Sequence, residues 1–374
     1  MTDITSKQET ESSASEVKFG VLHLTPAQIA VARKVPVYIA GILVALAAVW
    51  VLFLADRSWT AETSAGSAIA EPGEFVVTFL DGLTFAGLLF VVASGFTLIF
   101  GLMRTVNMAH GAFFLLAAYI AIDVQQRMVG KDRNIAPEDV SMLQWILPLL
   151  VGATVVAVLG VAMQQAFLRW NQGQDLRQAL ITIAVTIILA DQMLFQYGGL
   201  AKKMTWPGDV VHFYDVAGER YASSRLFMLG LSLVVAVLLW LWLNRTRMGI
   251  VIRAGVDDQE MVRALGINVA VVFGITFFVG AFLAGMGGVM GGSFSGVALG
   301  TDGQWLLNSL IVVIIGGLGS VKGAVAGSLL YGMVTAFSPA YLPSDYTFYS
   351  IIFTFVILAV VLAVRPNGLF GRAE

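Results

Sequence analysis

Arg104, Asn107 and His110 fall within seven residues of one another inside an otherwise apolar stretch. A cation, an amide and an imidazole so placed are costly unless they face a cavity, an interface or each other. Two chemistries fit the spacing. In one, Arg104 snorkels to a membrane surface and Asn107 caps a helix that begins at Met108. In the other, an inward-facing helix N-terminus offers N–H groups to an anionic solute group or a gate, which would put Asn107, His110 and Gly111 on a translocation path. Asp81 and Asp191 are the acids lodged within otherwise apolar runs. Each is either a structural group bonded to a neighbouring helix or a proton or cation site, and the second choice would make the chain an ion-coupled secondary transporter.

A third constellation is polar on one face and apolar on another. In 253–268, Asp257, Asp258 and Glu260 suit the first turns of a short helix, Arg263 its far end, and Gly266 the C′ position that stops it. Met261, Ala264 and Leu265 form an apolar stripe at helical spacing. Such a helix either buries that stripe in a partner's groove or is a solvated connector. Arg253 belongs to the same segment.

Catalytic constellations are missing from the sequence. There is no Gly-x-x-x-x-Gly-Lys-[Ser/Thr] loop, and the glycine run ending at Lys322 has the wrong spacing for one. His23, His110 and His212 have no neighbours at metal-ligand spacing, no Gly-x-Ser-x-Gly elbow is present, and there is no cysteine. The reading is therefore no catalytic residue, no metal and no cofactor held by this chain.

The elements that must position these residues follow from composition. Of 374 residues, 58% are hydrophobic and 12% charged, and the formal net charge is −2; the mean hydropathy is +0.83. Soluble domains carry about 25% charged residues, so a disordered chain, a nucleic-acid binder and a disulfide scaffold are excluded in favour of an integral membrane protein. Runs free of charge, or nearly so, occupy 35–55, 82–103, 105–122, 140–168, 178–200, 226–244, 264–301, 303–321, 323–344 and 346–364. Lengths near 20 fit helices crossing about 30 Å of hydrocarbon, not barrel strands of about 10 residues. The fold class is an all-α polytopic bundle of 8–10 transmembrane helices. The pair 303–321 and 323–344, rich in glycine, reads as two short spans or one re-entrant hairpin. Gly319, Gly323 and Gly327 recur every four residues, as close helix packing requires. With both termini inside, fourteen of the 22 Lys and Arg residues fall on the cytoplasmic side, including those of 245–263. Residues 1–34 read as a flexible cytoplasmic tail, 35–55 as a first span, 56–74 as an external linker, and 75–371 as the main domain with its cytoplasmic loop at 245–268.

Several blocks, in order, carry a resemblance. They are Gly82-Leu83-Thr84, then 93–101 around Ser94, then Asn107-Met108-Ala109-His110-Gly111, then 260–268, then 315–324 and 365–371. From about Phe75 to Gly371 the chain resembles the permeases of branched-chain amino-acid ABC importers, and the Asn-x-Ala-His-Gly block is similar to one of the two paired permease types. The resemblance implies a pathway shared with a second homologous permease, with Thr84, Ser94, Asn107, His110 and Gly111 on the path or its gate. It also implies two ABC ATPases that bind ATP and Mg and engage a coupling helix at 253–268, a periplasmic solute-binding protein, and the bacterial inner membrane as location. Asp81 departs from the uncharged amide more usual there, and residues 1–30 and 56–74 look like an extension.

Overall fold

The computed structural model describes residues 72–104, 106–130, 135–342 and 344–371; the expected tail, first span and nearly all of the outer linker lie outside them. The described residues are mostly helical, as a backbone in lipid must be to pair its own polar groups. Helix α1 covers Pro72–Met103, α2 Ala109–Val129, α3 Met142–Met163, α4 Asp175–Tyr197 and α5 Ser223–Arg245. Two short helices follow, α6 (Arg247–Asp257) and α7 (Gln259–Ala264), then α8 (Val269–Phe294), α9 (Thr301–Gly316), α10 (Val321–Tyr341) and α11 (Ser350–Val364). Among the described residues, eight helical segments are long and apolar enough to cross a membrane, with α9 a shorter apolar helix.

Side-chain chemistry sets several helix ends. Ser141 accepts from Gln144 N while the Gln144 side chain reaches back to Ser141 N, a capping box that starts α3. Asn268 and Ser320 cap α8 and α10 by accepting from Ala270 N and Gly323 N. At its far end α3 widens into a π-helical turn, Gln164–Leu168.

Helices α1 and α8 form the centre: 83% and 67% of their apolar windows are buried, against 17% for α4 and 6% for the window containing α11. Small residues allow this close contact. A Cβ on Gly95 would meet the Gly280 carbonyl, and one on Gly288 would fall on the Phe114 carbonyl of α2. Gly323 and Gly327 pack against the α9 backbone at Gly316 and Val312. Gly319 sits in the turn before α10, with φ +76, and faces Gly101 of α1.

The bundle has two ends. At one, a β-hairpin of β1 (Phe213–Val216) and β2 (Glu219–Ala222) turns through Ala217 and Gly218, both at positive φ. The other carries α6 and α7, separated from the hairpin by the 23 residues of α5, about 34 Å of helix. Val297, just before α9, pairs with Lys202 in the loop after α4, while Gly319, just after α9, lies beside Gly101 and Val256 at the α6–α7 end. Helices α9 and α10 therefore each run between the two ends, so the glycine-rich pair is two traverses rather than a re-entrant hairpin. The segment after α11 returns to the α6–α7 end, where Leu369 N and Phe370 N donate to the Ile315 and Gly316 carbonyls at 2.8 Å.

Candidate functional site

The expected single coupling helix is two helices. Asp258, at φ −152° and ψ 104°, ends α6 and caps α7, its Oδ1 accepting from Met261 N at 3.0 Å. Asp257 is thus the last residue of α6 rather than part of the acidic first turn, which holds Glu260. Gly266 occupies C′ with φ +78: its N–H bonds the Arg263 carbonyl at 3.0 Å, and Ile267 N reaches the Val262 carbonyl at 3.4 Å. This is a Schellman stop, and Val262 and Ile267 pack in one small apolar cluster beneath it.

That cluster, with Leu102, Ile252, Val272 and Phe273, ties α6 and α7 to the ends of α1 and α8. Gln259 Nε2 donates to the Leu102 carbonyl. Arg253 donates to Asn244 Oδ1 at 2.8 Å. The outer face is bare: Met261 and Leu265 are 58% and 70% exposed, beside exposed Glu260, Arg263 and Ala264. An open cleft of about 530 Å³ adjoins it, lined by Arg169, Trp170, Arg263, Gly266 and Asn268 among others. A braced helix presenting two large apolar side chains, rimmed by charges and beside a cleft, has the anatomy of a docking surface.

The residues expected on the path do not share one cavity. His110 is fully buried, its Nε2 donating to the Val92 carbonyl at 3.0 Å and its ring edge-on to Phe96. Ser94 bonds its own helix at Val91, and a Cβ on Gly111 would meet the Asp302 carbonyl. These three lie in the packed interior of α1, α2 and α9. Asn107 Oδ1 accepts from Ala109 N at 3.1 Å where α2 begins, and Asn107 lines a cavity of about 10 Å³ with Gln178 and Thr182. Asn107 Nδ2 and Gln178 Oε1 have no partner among the described residues. Thr182 Oγ1 accepts from Met108 N at 3.2 Å, so this polar seam joins α4 to the start of α2.

Thr84 belongs to another cluster, toward the hairpin. Its Oγ1 lies 3.4 Å from Tyr221 Oη and from the Arg225 carbonyl. Arg225 Nη1 bonds both oxygens of Asp81, and its guanidinium lies 5.8 Å over the Tyr221 ring. Burial pushes the Tyr221 hydroxyl up to about 12, so it is a neutral hydrogen-bonding group in this cluster.

Comparison with known proteins decides what bundle this is. The family model described as "Branched-chain amino acid transport system / permease component" matches residues 78–362. The chain belongs to this family. The permease is similar to the high-affinity branched-chain amino acid transport system permease protein LivH of Escherichia coli (strain K12), at 29% identity over 80% of this chain and 96% of that one. It is 26% identical to BraD of Pseudomonas aeruginosa over 80% of this chain and 97% of that one. The solved structure of PsaBC from Streptococcus pneumoniae in complex with Fab is similar over 81% of this chain and 96% of that chain, with a TM-score of 0.42 and 12% identity.

The permease disposes of its two membrane acids differently. Asp81 has its structural partner in Arg225. Asp191 is exposed on α4 and has no partner among the described residues. A carboxylate within a membrane helix is costly unless it faces water, protein or a partner. Sequence reasoning missed the partners Arg225, Tyr221, Gln178 and Thr182. In the loop after α4, Trp206 stacks on Trp145 at 5.3 Å. No group of three or more His, Asp or Glu residues able to hold a metal occurs among the described residues.

Proposed function

We propose that the permease is one of two homologous membrane subunits of an ABC importer for branched-chain or closely related amino acids, in a bacterial inner membrane. Two ATPase subunits that bind ATP and Mg engage α7 and the adjoining cleft, and a periplasmic binding protein delivers solute at the hairpin end. The α6–α7 end is cytoplasmic, in accord with the Lys and Arg excess there, and both termini lie on that side. Nucleotide-driven closure of the ATPases moves α7, and its apolar brace transmits that movement to α1 and α8, biasing the permease between outward- and inward-open states. The division at residues 75–371, after a tail, a first span and a linker, is part of this reading.

The observation that carries it is the braced, outward-facing Met261–Leu265 stripe. A stripe without a partner would leave two large apolar side chains in water; a docked one buries them. The test is the double substitution Met261→Asp and Leu265→Asp. The permease should insert and fold as before, since neither side chain is buried, yet lose ATPase co-purification and at least about tenfold in ATP-driven leucine uptake. Retained co-purification and uptake would remove the lever.

A further inference from the structure

The exposed face of α4 near the hairpin is unlike the other exposed helix surfaces. Asp191, Gln192 and Gln196 lie with Ile188 and Phe195 on one arc of the helix, all exposed. Ile188 and Phe195 are 65% and 84% exposed. At 100° per residue these five side chains span about 140° of the helix circumference. Asp191 is six residues before the end of α4 at Tyr197, about 9 Å inside the hairpin end. None of the three polar side chains has a hydrogen-bond or charged partner among the described residues. Polar side chains so placed face water or protein rather than lipid.

We propose that this arc is a solute-recognition site in the wall of the translocation path, near its mouth at the hairpin end, and that its occupant is the branched-chain amino-acid zwitterion. The inference rests on the amino-acid importer reading above. Charge complementarity selects the occupant. The Asp191 carboxylate accepts from the α-ammonium group. The Gln192 and Gln196 amides donate to the α-carboxylate, and Ile188 and Phe195 supply apolar contact for a branched side chain. A proton or metal cation would leave the apolar flank without a contact. The polar seam of Asn107 and Thr182 holds one end of α4 to the core, and buried Met193 with the Tyr197–Tyr119 stack at 4.7 Å holds the end that carries the site.

The permease has no cysteine, so Leu194→Cys, at an exposed position three residues from Asp191 on α4, reports from beside an intact site in the complex assembled in vesicles. A polar, membrane-impermeant thiol reagent should label it. L-leucine should slow that labelling about fivefold or more, while leucine's α-hydroxy analogue, which lacks the ammonium group, should leave it unchanged. Adding Asp191→Asn should abolish the protection, and Asp191→Asn alone should lower leucine uptake about tenfold or more, with co-purification of the partner subunits as the control for assembly. Reaction only with a lipid-soluble reagent, cross-linking to the second permease in every state, or equal protection by the hydroxy acid would overturn the proposal. If the unsubstituted complex imports leucine on ATP while the reporter stays silent, this site alone fails. If that complex imports no leucine, the importer reading fails and the site falls with it.

Discussion

Helices α8 and α4 have similar lengths, 26 and 23 residues, and both are apolar enough to cross a membrane. Their surfaces do opposite things. Helix α8 spends its glycines on contact with α1, α2 and α3 and buries most of its circumference; α4 leaves most of its own uncovered and carries Asp191, Gln192 and Gln196 on the bare side. The contrast teaches that hydropathy tells which segments enter the bilayer, while the distribution of small and polar residues tells which are scaffold and which meet a partner or solute.

The largest effect should come from attacking the scaffold. Gly288→Val would drive a branched side chain onto the Phe114 carbonyl. It should cost about 3 kcal/mol or more, read as loss of monodisperse protein in detergent; wild-type yield and melting temperature would break the assignment of α8 as the packed centre. An intermediate effect belongs to the lever. Gly266 has open space around its missing Cβ but φ +78, so Gly266→Val should add about 1–3 kcal/mol of local backbone strain. Insertion should persist while ATP-driven uptake collapses.

The paired acid should matter less. Asp81→Asn removes one partner of an ion pair whose side chains are each about one-third exposed, and solvent screening keeps the loss to about 1 kcal/mol. Beside it, Tyr221 supplies a pH signature. Its hydroxyl titrates near 12 in the fold, above the ordinary value near 10, so the stability it contributes is fully present below pH 10 and lost as pH rises toward 12. Tyr221→Phe should flatten alkaline unfolding over that window, and an unchanged profile would place the titration elsewhere. The smallest effect belongs to α4: Ile188→Ala should shift stability by no more than about 0.5 kcal/mol, because its side chain is 65% exposed. A core-sized loss there would erase the distinction between the two helices.

Much of this was legible in sequence because the signals are local. The apolar runs announced the spans, and Asp258, Glu260 and Gly266 announced a short helix and its stop within nine residues. The break before α7 was harder to see, because Asp257 and Asp258 have the same chemistry and only the backbone tells which one caps. The polar residues of the bundle show where local reading ends. The sequence gives no sign that the His110 ring meets the carbonyl of Val92, 18 residues away. Asp81 looks like a coupling site until Arg225, 144 residues away, is placed against it. Such partners are brought together by helix packing, which leaves no local pattern. For Gly319, Gly323 and Gly327 the four-residue spacing located two helix contacts but could not show that the helix begins after the first glycine.

The most direct test of the central claim is leucine uptake by vesicles containing the assembled complex, with ATP supply and ion gradients controlled separately. A permease moved through α7 by ATPase partners should import leucine only when ATP is present, and ionophores that collapse proton and sodium gradients should leave the rate unchanged. Uptake driven by an imposed gradient in the absence of nucleotide would contradict the account.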